Sequence, residues 1–183
     1  MTTLRERIAN ERRRLREVRL KMVAAIEAQA DGDEAYVPFY VAAADYIDAT
    51  MQRLHDQDIK MRDMIVEKVE KVDESVEKAL GELDERLEGA KAHLKPFLEA
   101  RDALKEKGVE ALQAFEKIGK EYSDFIVANM GHHGATTDLA VKLFSSTDWE
   151  HMAGVSDEQQ RQDEDLFKRV VEAAPDSVRH ISD

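Results

Sequence analysis

From Tyr36 onward the apolar residues Tyr40, Ala44, Ile47, Met51, Leu54, Met61 and Ile65 follow steps of three and four, which lines them up in one stripe along an α-helix. The stripe is broken once. Position 58 should be apolar and holds Asp58, with His55 one turn before it and Asp48 higher on the same helix. A carboxylate placed where the pattern asks for Leu must be paired, hydrogen-bonded or coordinated, because burying it alone costs several kcal/mol. This break is the strongest local hint of function in the chain.

The same periodicity predicts helices almost everywhere else. A first helix spans residues 3–30, capped by Thr2 or Thr3, stopped by Asp31-Gly32-Asp33, and burying Ile8, Leu15, Met22 and Ile26. The second opens with Pro38 in its first turn, where a missing N–H is harmless. Apolar spacing then continues through Val69, Val72, Val76 and Leu80, too far for one globular helix. A reversal near residues 67–73 is expected, and a protruding, dimerising coil is the alternative.

A third helix over residues 73–107 turns Leu80, Leu83, Leu87, Leu94, Phe97, Leu98 and Leu104 inward. Pro96 should kink it close to His93, and Gly108 closes it. A fourth over residues 109–144 buries Leu112, Phe115, Ile118, Tyr122, Phe125, Ile126 and Met130, then meets GHHGATTD, whose glycines suggest a loosening or a close approach. Thr147 with Glu150 reads as a capping box for a short helix, and Ser156 with Gln159 as another for a last helix to about residue 174. The final eight residues read as frayed. The architecture expected is all-α: a single domain over residues 1–183, an antiparallel four-helix bundle over 1–30 and 36–144, with short C-terminal helices over 147–174. Leu54, Phe97 and Phe125 are expected in one core.

Composition narrows the chemistry. Gly and Pro are few and the charged fraction of 36% is that of long helices. The absence of Cys leaves His, Asp and Glu as the strong metal ligands. No apolar run is long enough for a membrane span and the N-terminal residues are charged, so a soluble, cytoplasmic protein is expected. The net charge of −12 is uneven. The first 21 residues hold eight basic against three acidic side chains, a balance of +5, which leaves −17 for the remainder. So acidic a body repels phosphates, which argues against nucleic acid as a partner and makes the arginines the solvated face of the first helix.

The candidate ligands are His55, Asp58, His93, His132, His133 and Asp138, spread over successive long helices. Inward-facing His and carboxylates of a bundle can meet at one level and hold a metal ion, and imidazole with carboxylate suits iron, manganese or zinc. In this the chain resembles the hemerythrin-like, HHE cation-binding family over roughly residues 1–153. His133 through Asp138 match its H-x4-D motif, His55 falls where the second-helix His belongs, His93 at a third-helix position, and SSTDWEHM looks like the short helix after the bundle. The chain departs from the family's pattern at Ile59 and Phe97 and in having no His among its first 54 residues.

The resemblance implies non-haem iron, mono- or di-nuclear, and a protein that binds or senses dioxygen, redox state or iron. The alternative is a metal-free helical bundle acting as an interaction or regulatory module. A metal-dependent hydrolase or oxidase using Tyr40 or Tyr46 as proton or radical donor is a third reading, and no substrate pocket is legible. A homodimer is compatible with all three.

Overall fold

The computed structural model describes residues 3–28, 30, 32–129 and 134–182, and every regular element among them is helical. Helix α1, Leu4–Glu27, begins at Thr3: the Glu6 amide donates to the Thr3 hydroxyl at 3.3 Å and the Thr3 amide to the Glu6 carboxylate at 2.7 Å, a reciprocal cap that satisfies two donors a helix start leaves open. α1 buries Leu15, Val18, Met22 and Ala25, with Ile8 and Ile26 half-buried at the edges of the seam. α2, Tyr36–Lys68, carries Pro38 in its first turn, and α3, Glu74–Lys107, follows after a break over residues 69–73. That break has neither Gly nor Pro. Asp73 supplies it by accepting the Val76 amide at 3.0 Å, and the continuous coil is excluded.

α3 continues through Pro96, which sits on its exposed side, and ends at Gly108 in the left-handed region, φ 59°. A 3-10 turn, Gly108–Ala111, leads into α4, Leu112–Asn129. The fourth long helix therefore stops well short of residue 144, and its expected second part is a separate α5, Ala135–Leu143. α6, Ser146–Ala153, is capped by Ser145 with Asp148, two residues earlier than the Thr147–Glu150 box expected from sequence. α7, Asp157–Ala173, opens on the Ser156–Gln159 box as expected. Of the last eight residues, the first four are not frayed. They form α8, Asp176–Arg179, which buries Val178, and Lys21 of α1 donates to the carbonyls of Arg179 (3.3 Å) and Ile181.

α2 and α3 run antiparallel, fixed by two rungs: Arg101 donates to Asp48 at 2.8 Å, and Arg62 reaches Asp84 at 2.8 Å. α1 packs on α2 and α4, α4 also on α3, and α7 lies along α2 with Tyr46 edge-on to Phe167. The buried apolar residues form two clusters. The first joins α1, α2, α3, α4, α7 and α8 around Met22, Tyr40, Ile47, Phe97, Phe115 and Val170, with Leu54 and Phe125 packed against it. The second joins α2, α3, α5 and α6 around Met61, Met64, Ile65, Leu83, Phe144 and Met152.

Candidate metal site in the polar layer

The gap between the clusters coincides with the break in the α2 stripe. On α2 the first cluster ends at Leu54 and the second begins at Met61. On α3 the second reaches Leu87 and the first resumes at Leu94. The polar layer between them holds His55 and Asp58 of α2 and Gly89, Ala90 and His93 of α3.

His55 is half-buried and lies in line with Asp48 and Arg62, the α2 partners of the two rungs, so it stands on the side of α2 that meets α3. Interpolating between those rungs puts His55 level with Ala92 and His93, and Asp58 level with Gly89. Asp58 follows the direction of Leu54 and Met61 toward the interior, is half-buried, and is not without an interaction partner.

His93 and Asp138 do not face the interior, contrary to expectation. His93 is exposed, its ring stacked 3.8 Å from Phe125 of α4 at 5°. Its Nδ1 lies 2.8 Å from the Gly89 carbonyl, and because a carbonyl only accepts, Nδ1 carries the proton of that bond. Asp138 is exposed in the first turn of α5, where a negative charge complements the helix dipole without any ligand. His132 and His133 lie outside the described residues. Just after them Gly134 opens α5, and a Cβ there would stand 3.8 Å from Arg86 Nη1 of α3. Among the described residues no group of three or more His, Asp or Glu side chains is placed to hold a metal ion, so these residues alone do not complete a metal-binding set.

Several buried polar groups were not singled out by the sequence. Arg53 of α2, 11% exposed, bridges Glu11 of α1 at 3.5 Å and Asp163 of α7 in a short contact. Burial raises the carboxyls of Glu11 and Asp163 above their ordinary values, more than Arg53 lowers them. The tyrosines are poor proton donors here. Burial raises the phenols of Tyr40 and Tyr122 and takes Tyr46 up to about 12. The hydroxyls of Tyr40 and Tyr122 have no hydrogen-bond partner among the described residues.

Compared with protein-family models, with curated proteins and with solved structures, the chain matches none. No described helix is long and apolar enough to cross a membrane.

Proposed function

We propose that the chain is a hemerythrin-like antiparallel four-helix bundle, built by α1 to α4 with α5 continuing the fourth limb, and that its polar layer binds a cation. Asp58 and His55 are the ligands from α2, and His133 completes them. The observation that carries this reading is the division of the core at the level of Asp58 and His55. A bundle shaped by stability alone gains from one continuous apolar interior, and here a polar layer with a half-buried carboxylate and an imidazole one turn apart interrupts it. A cation held there would supply a centre able to bind dioxygen or respond to redox state or iron.

The test is metal analysis after anaerobic purification. His55→Ala, His133→Ala and Asp58→Leu should each lose most of the bound metal, and chelation should lower the stability of the wild type. Iron-loaded protein with unchanged stoichiometry in all three variants overturns this site.

The exposure of His93 and Asp138 favours a second reading, a metal-free bundle acting as an interaction or regulatory module. Asp58→Leu separates the two by metal content, because with a site it loses bound metal and without one there is none to lose.

A further inference from the structure

The exposed charges of two helices form complementary arrays. Arg5, Arg12 and Arg16 fall within one narrow arc of α1, with Arg13 beside them, and all four are exposed around the small residue Ala9. On α3 the exposed Glu74, Glu77, Glu85 and Glu88 fall in one arc around Gly81, with nothing within 4 Å of where its Cβ would be. The spacing agrees. Eleven residues, about 16 Å of helix, separate Arg5 from Arg16 and equally Glu77 from Glu88. Arg5, Arg12 and Arg13 and the four glutamates have no ion pair among the described residues.

The chain cannot satisfy one array with the other. α1 and α3 both pack on α2 and on α4 and make no substantial contact with each other, so the arrays sit at opposite corners. We propose that the arginine stripe of α1 docks on the glutamate stripe of α3 in a second copy of this chain. Ala9 and Gly81 at the centres let the helices approach until the arginines reach the carboxylates. A phosphate polymer on the arginines is disfavoured by the charge of −17 outside the first 21 residues. Because the stripes face different ways, the contact is heterologous, and association continues past two copies unless a ring closes.

The experiment is sedimentation velocity over a range of protein concentration at about 0.1 M salt, where a screening length of about 10 Å quiets repulsion between the acidic bodies but not between groups in contact. The average mass should rise with concentration beyond two copies and return to one copy at about 1 M salt. Arg12→Glu with Arg13→Glu, and separately Glu85→Arg with Glu88→Arg, should each weaken association at least tenfold. Mixing the two variants in equal amounts should restore it. All four positions are exposed, and an unchanged circular dichroism melt shows that the swaps leave the fold intact. A wild type that stays at one copy throughout overturns the proposal, as do swapped variants that associate like wild type. So does a one-copy protein whose arginine face binds duplex DNA or anionic vesicles.

Discussion

The two sides of the polar layer are built differently. The first cluster is a stack of rings, with Phe97 4.7 Å from Tyr122 and 5.6 Å from Phe115, and Phe115 5.0 Å from Tyr40, closed over by α7 and α8. The second is methionine and aliphatic, with one described aromatic pair, Phe144–Trp149 at 5.4 Å, and it is walled partly by the short α5 and α6. Rings lock into few arrangements, whereas methionine fills irregular space and adapts. The first side therefore fixes how the long helices lie. The second side can shift without unravelling them, and the proposed site stands where the two meet.

Phe97→Ala is the harshest way to probe this contrast. Phe97 is fully buried among three helices, so its loss should cost about 3–5 kcal/mol and loosen α1 to α4 together. Leu83→Ala on the methionine side should cost about 2–3 kcal/mol, at the lower end of such truncations because methionine can move into the gap. Hydrogen exchange should then show protection lost in α5 and α6 while α7 keeps its own. If both variants expose the same amides to the same degree, the two sides are one cooperative unit and the contrast fails.

Acid should act on the two sides in opposite directions. Asp148, which caps α6, is held down to about 2 by the Ser145 amide and hydroxyl and by Lys68. A carboxyl lowered on folding gives stability that is present above its ordinary 3.8 and is lost as pH falls toward about 2. Glu11 and Asp163 are raised by burial, so their contribution is present below the ordinary carboxyl values and is lost as pH rises through the raised ones. On acidification α6 should exchange faster, while the contact of α7 with α1 and α2 should hold. Parallel loss in α6 and α7 would show that Arg53 depends on charged partners more than those partners suffer from burial.

The gentlest change is Tyr122→Phe. Its hydroxyl is buried without a partner among the described residues, so removing it should alter stability by less than about 0.5 kcal/mol or raise it. A clear fall in melting temperature would mean that the hydroxyl holds a water.

Short-range rules carried most of the fold. The apolar stripe gave α2, Ser156 with Gln159 gave the start of α7, Thr3 was one of two caps named for α1, and the apolar run after Ile65 was too long not to turn. The errors arise where a distant residue decides. Ser145–Asp148 and Thr147–Glu150 are equally good boxes locally, and Lys68, 3.0 Å from Asp148, favours the first. His93 was expected inward because its stacking on Phe125 belongs to another helix and leaves no local trace. At the candidate site, Asp58 and His55 were legible because they break a period. Arg53 was not, because its two partners lie on α1 and α7 and no spacing links them.

Lys21 carries a consequence for how the chain folds as it is made. Its ammonium, on a side chain 3% exposed, is held by Glu17 and by the carbonyls of Arg179 and Ile181, the latter 160 residues further on. During synthesis α1 emerges early with a cation on the face it must bury, and only Glu17 is yet present to meet it. The carbonyls arrive about 160 residues later. α1, made before the other described helices, should therefore settle late, and native order should reach it only when α8 closes over it.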